Sequence, residues 1–178
     1  MRQRRAQLLA LLQPEPLPWT EPLRETFCFP LIGELTASFE TSWGTWGSAD
    51  PYQTGGGSFS TTVPGATNVV AVNAVAGYRP EPENAGLAVV MVVVSMADGS
   101  ELVVWAETDA NLIEAGVTLG IDEPPTEGLL FESDSPASGQ SDLIGLLADG
   151  GLRFDQLNLT SGGLITGTIE GLVYQPTF

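Results

Sequence analysis

Leu87–Met96 reads LAVVMVVVSM, Asp98-Gly99 follows, and Glu101–Glu107 reads ELVVWAE. A continuous apolar run of ten residues suits a strand buried on both faces. It is too short and too rich in β-branched residues for a membrane helix. Asp-Gly supplies a tight hairpin turn, because glycine takes left-handed backbone at little steric cost. Two such strands cannot bury their own faces, so more strands must surround them.

Those strands are legible on both sides. Towards the N-terminus, Leu31–Thr41 (LIGELTASFET) alternates, with Leu35, Ala37 and Phe39 on one face and Glu34, Thr36, Ser38 and Glu40 on the other. Ser58–Val63 follows the flexible Gly55-Gly56-Gly57, and Asn68–Ala76 (NVVAVNAVA) comes next. Towards the C-terminus, Asp109–Ala115 suggests one helical turn. Val117–Ile121, Gly128–Glu132 and Asp142–Ala148 suggest short strands, with loops at 122–126 and 133–141. Asp149-Gly150-Gly151 reads as a turn into Leu152–Leu159, and Ser161-Gly162-Gly163 as a turn into Leu164–Tyr174. In that last strand Ile165, Gly167, Ile169, Gly171 and Val173 share a face. Nine or ten short strands with Gly-, Pro- and Asp-rich turns predict an all-β protein. The expected form is an antiparallel β-sandwich of jelly-roll type, with a closed β-barrel as the alternative.

Residues 1–26 read differently. Arg2–Leu12 (RQRRAQLLALL) is a short helix candidate, basic first and then apolar, with Leu8, Leu11 and Leu12 on one side. Pro14, Pro16, Pro18 and Pro22 stop the helix and make an extended, semi-rigid linker. The organisation predicted is an N-terminal arm with a Pro-rich linker over 1–26 and a single β-domain over 27–178. The arm admits three readings: a docking element, an export signal, or a free terminus. Against the signal, the apolar run is short and no A-x-A-like cleavage site follows. Seven apolar residues of helix span about 10 Å, far less than a bilayer, so no transmembrane segment is expected.

Composition narrows the chemistry. Hydrophobic residues make up 43% of the 178, enough for a core. Histidine is missing and a single cysteine is present, which removes Ser-His-Asp and Cys-His catalysis, the usual zinc sites and any internal disulfide. The net charge is −16, although charged residues are only 16% of the chain. The usual share is about 25%, so bases are lacking rather than acids in excess. Three of the six basic residues lie in the first 12 positions, which hold no acid, so the remainder carries −19. Such a body repels nucleic-acid phosphates, and no nucleic-acid partner is expected.

Several residues are candidates for a site. Trp43 and Trp46, in SWGTWGSADPY, could anchor a protein or stack on a glycan from a glycine-rich loop, or could cap the core. Trp105, mid-strand, reads as core. Glu107 and Asp109 share a strand face about 7 Å apart, but with no further acidic group tied to them they read as solvated acids rather than a glycosidase pair. Asp109, Asn111 and Glu114 are oxygen donors that could hold calcium, yet they match no full binding loop. Cys28, between Phe27 and Phe29, reads as a small buried hydrophobe. Asn158-Leu159-Thr160 matches the glycosylation sequon.

The reading that follows is a non-enzymatic structural or assembly subunit without cofactor. Its arm, through Arg2, Arg4, Arg5, Leu8, Leu11 and Leu12, docks on a neighbouring protein or a second copy. The alternative is a glycan- or surface-ligand-binding module using Trp43 and Trp46. The location expected is outside the cytoplasm or at the cell surface, or else within a cytoplasmic or viral assembly.

Overall fold

The structure, a computed structural model, describes residues 29–45, 55–66, 68–82, 86–121, 125–133 and 142–176. The helical arm and Cys28 lie outside the described residues, as does Trp46. Among the described residues the protein is all-β: nine strands form one large, predominantly antiparallel sheet, with no helix.

The strands are β1 (Leu31–Thr45), β2 (Gly55–Thr61), β3 (Val69–Arg79), β4 (Leu87–Met96), β5 (Glu101–Asp109), β6 (Thr118–Gly120), β7 (Glu127–Ser133), β8 (Asp142–Leu157) and β9 (Leu164–Tyr174). The order across the sheet is β6-β8-β7-β5-β4-β3-β2-β1-β9. Two further ladders join β8 to β9 and β3 to β1. The β1–β3 ladder is parallel and short, running from Trp43↔Ala76 to Thr45↔Tyr78. Hydrogen-bonded neighbours therefore run in a circuit, from β1 through β9, β8, β7, β5, β4 and β3 back to β1.

The alternation of β1 places Leu35, Ala37, Phe39, Thr41 and Trp43 inward and buried. On β4 the inward set is Ala88, Val90, Val92, Val94 and Met96, and on β5 it is Leu102, Val104 and Ala106. Ile165, Ile169 and Val173 of β9 complete one cluster with Leu152 and Phe154 of β8. Phe39 and Phe154 meet edge to face, with ring centroids 5.8 Å apart and planes at 75°. Each fully buried aliphatic or aromatic side chain here contributes about 1.5–3 kcal/mol relative to exposure. The buried hydroxyls of Thr108 and Thr126 satisfy each other at 2.8 Å.

Four local readings are corrected. The Gly55-Gly56-Gly57 run is strand rather than flexible connector. A Cβ at Gly55 or Gly57 would run into the backbone of Glu40 or Ser38, so glycine is what lets β2 approach β1. Asp149-Gly150-Gly151 is no hairpin. Asp149 has φ 51°, the β8–β9 register shifts between Ala148 and Gly151, and β8 continues through the bulge for 16 residues. Asp109–Ala115 is a turn, closed by Leu112 N–H donating to Asp109 C=O, not a helical segment. Trp43 belongs to β1 rather than to a loop.

Candidate functional site

Two places on the described surface gather chemistry that the core does not need. The first is the cleft at the end of β1. Trp43 backbone N–H donates to Gly163 C=O at 2.8 Å, and Gly162 N–H donates to Trp43 C=O at 2.9 Å, fastening β1 to the β8–β9 hairpin. The cleft beside them holds about 310 Å³ and is lined by Trp43, Thr45, Tyr78, Ile113, Leu159 and Ser161. Leu159 and the neighbouring Leu164 are about half exposed. Trp43 itself is only 7% exposed and belongs to the main core, so little of its surface is offered to a ligand.

The second place is the outer face of β4, β5, β7 and β8. Alternation sends Val89 and Met91, Val103 and Trp105, Leu129 and Phe131, and Leu143 and Leu146 away from the main core. The register aligns them in rows. Met91 lies opposite Trp105, Trp105 opposite Leu129, and Leu129 opposite Leu146. One row along, Val93 lies opposite Val103, Val103 opposite Phe131, and Phe131 opposite Leu143. These side chains form a second apolar cluster, in which Val89 is fully buried and Trp105, Leu129, Phe131 and Leu146 are each below 10% exposure. By contrast, the outward residues in the middle of β1 and β9 are Glu34, Thr36, Ser38, Glu40, Thr166, Thr168 and Glu170.

Carboxylates border this apolar face. Glu107 lies opposite Val89 on one side and Glu127 on the other. It is 5% exposed rather than solvated. Its Oε2 accepts from Trp105 Nε1 at 3.1 Å and lies 3.4 Å from Arg79 Nη2. Arg79 Nε also bonds Glu81 Oε1 at 2.7 Å. The sequence reading missed this group. The signal that could have found it is the alternation Val103-Trp105-Glu107, which places the acid on the same apolar face as the indole.

Asp109 turns away from that arrangement into the loop, where its Oδ1 accepts Asn111 N–H at 2.8 Å. Asn111 and Glu114 are exposed. Among the described residues no group of three acidic, cysteine or histidine side chains gathers to hold a metal ion. The sequon residue Asn158 is exposed at the start of the β8–β9 connection, where its Oδ1 accepts the Thr160 N–H and hydroxyl. No helix among the described residues is long and apolar enough to cross a membrane.

Comparison with family models, with curated proteins and with solved structures returns no match.

Proposed function

We propose that this protein is a non-enzymatic assembly subunit, an acidic β-body that is held to a neighbouring protein or a second copy through its N-terminal arm. The observation that carries the reading is the apolar outer face of β4, β5, β7 and β8. A domain that only had to fold could leave that face polar, as the middles of β1 and β9 do. A large apolar cluster outside the main core is instead the usual mark of a face that is covered by another element. Phe29, where the described chain begins, packs against it, which links the face to the segment carrying the arm. Arg2, Arg4 and Arg5 then present positive charge to a partner body that is acidic, and Leu8, Leu11 and Leu12 supply the apolar contact. The lack of histidine and lysine, and a Glu107 engaged by Trp105 and Arg79, support the non-enzymatic part of the reading. The circuit of ladders supports the closed-barrel alternative over the two-layer sandwich.

The test compares the full chain with a chain lacking Met1–Pro18, by light scattering after size exclusion and by recovery of partners from the native source. The full chain is expected to associate, and to do so less as salt rises, because exposed charge attraction is screened within about 10 Å at 0.1 M salt. Equal masses and equal partner recovery for the two chains would overturn the reading.

A second reading rests on the Trp43 cleft. An opening of about 310 Å³ with two aromatic side chains and the hydroxyls of Thr45 and Ser161 suits a sugar ring or small amphipathic ligand. A glycan array separates the readings, since binding that survives loss of the arm favours the cleft.

A further inference from the structure

The cleft beside Trp43 stands between two loops, 110–117 after β5 and 158–163 between β8 and β9. Backbone bonds tie both loops down. Trp43 fastens the second through Gly162 and Gly163. The first is held by Ala110 N–H, which donates to Gly86 C=O at 3.1 Å, and by Gly116 N–H, which donates to Phe154 C=O at 2.7 Å. The opening is thus set by the fold itself, as ligand pockets usually are.

We infer that this cleft takes a small, uncharged, mainly apolar molecule, a compact ring system or short alkyl chain bearing a single hydroxyl, rather than a sugar. Four observations select this class. The first is charge. The chain has 22 acidic residues, yet no charged side chain is among the described residues that line the cleft. An anion would find no cation there and a cation no carboxylate, and an unpaired charge is costly to bury. The second is apolar surface. Among the described residues seven large hydrophobic side chains are exposed, and four of them, Leu112, Val117, Leu159 and Leu164, lie in these two loops or next to them. Single exposed leucines are ordinary, whereas a group around one opening marks a binding surface. The third is the supply of polar groups. The polar side chains of the lining are the hydroxyls of Thr45, Tyr78 and Ser161, with no carboxylate, carboxamide or guanidinium. A sugar brings several hydroxyls, and each one buried without a partner costs free energy. Its flat face also needs an open aromatic ring, but Trp43 is only 7% exposed. A single ligand hydroxyl is within what Ser161, at the exposed rim, can satisfy. The fourth is size. About 310 Å³ stands at the lower end of the roughly 300–1,000 Å³ over which ligand pockets range, which leaves no room for an oligosaccharide.

The inference rests on the second reading above, that the Trp43 cleft binds a ligand, and narrows it to one class. It is tested on the isotope-labelled full chain by backbone-amide NMR titration with β-naphthol. Saturable shifts are expected at Thr45, Ile113, Leu159 and Ser161. Methyl glucoside, β-naphthoate and β-naphthylmethylammonium are each expected to bind at least about tenfold more weakly, because each buries polar or charged groups that the lining leaves without partners. The acidic body as a whole repels the anion and attracts the cation, so weakening with both ions belongs to the lining and not to the general field. Leu159→Asp, which puts a charge at an exposed point of the lining, is expected to weaken β-naphthol at least about tenfold with far-UV circular dichroism unchanged. If that variant does not fold, Ser161→Trp, which fills the opening from its rim, takes its place. Shifts with β-naphthol that lie only outside the cleft overturn the inference. So does binding of either ion or of methyl glucoside as tight as that of β-naphthol, and so does an affinity untouched by the substitution in a folded chain. Saturable shifts at the cleft with methyl glucoside but not with β-naphthol would overturn the inference and leave the cleft reading standing. Silence from both would overturn the two together.

Discussion

The indole N–H of Trp105 donates to Glu107 Oε2 at 3.1 Å, between residues two apart on the outward face of β5. Both side chains are buried, although the face they share is otherwise apolar. A carboxylate survives there because its bonds to water are replaced. The indole offers a neutral donor, and Arg79 of β3 brings a cation to 3.4 Å of the same oxygen. Trp105 is thus apolar contact for Met91 and Leu129 and polar partner for Glu107 at once.

Arg79→Ala should therefore lower stability by about 1–3 kcal/mol, the usual cost of depriving a buried polar group of its partner. Glu107→Gln should cost less, since an amide oxygen still accepts from Trp105 and no buried charge is left behind. Urea unfolding at neutral pH measures both. Equal losses would show that the cation and the indole do not act on Glu107 as described.

Phe39 and Phe154 bring β1 and β8 together across the main core. Replacing either by Ala should cost about 3–5 kcal/mol, from lost transfer energy and the cavity left behind. The double variant should cost less than the sum of the singles, because an edge-to-face pair contributes about 0.5–1.5 kcal/mol beyond its buried area. Strict additivity would remove the pair from the account.

The strands of this fold were legible where sequence pattern and environment agree. Leu87–Met96 and Leu164–Tyr174 have the boundaries that their composition implies, and the inward set of β1 follows its alternation. Glycine is misleading where it looks like punctuation. Gly55–Gly57 and Gly150-Gly151 serve close approach and a bulge within strands, which depends on partners distant in sequence. The burial of Glu107 and the second cluster are not legible either. Periodicity shows that Val89, Met91 and Trp105 share a face, but a strand apolar on both sides does not show what lies over the outer one. Gly44 and Gly47 suggest a loop around Trp43, whereas its ladder to β3 keeps it in β1.

Trp43→Ala should destabilise the fold by about 3–5 kcal/mol, as expected for a large buried aromatic. The cleft should widen at the same time. If the cleft takes a glycan or a small amphipathic ligand, Tyr78→Phe and Ser161→Ala should weaken that binding with little change in melting temperature. Thermal unfolding and a binding titration on the three variants separate core from contact. A Trp43→Ala protein with unchanged melting temperature would contradict its burial.

The β4–β5 turn offers a test in pH. Met96 C=O accepts Gly99 N–H at 3.1 Å, and Met96 N–H donates to Ser100 C=O at 2.9 Å. Gly99 sits in the left-handed region at φ 88°, as a short hairpin loop requires. Asp98 Oδ1 accepts the Ser100 hydroxyl at 2.6 Å and the Ser100 N–H at 3.0 Å. The Ser100 hydroxyl, and after it the Ser100 N–H, hold the Asp98 carboxyl below its ordinary value. A carboxyl whose folded pKa is depressed contributes stability that is present above its unfolded pKa and is lost as pH falls through the folded one. Asp98→Ala should thus be less stable than wild type at pH 7. The gap should narrow on acidification below about pH 4, where an ordinary carboxyl begins to protonate. The general effect of acid on so negative a chain cancels, because both proteins carry it. Asp98→Asn should keep an acceptor for the Ser100 N–H, and its difference from Asp98→Ala should not change with pH, since neither side chain titrates. Ser100→Ala should raise the Asp98 pKa towards the ordinary value in a carboxyl-carbon NMR titration. A wild-type to Asp98→Ala gap that stays constant from pH 7 to pH 3 would falsify this account of the turn.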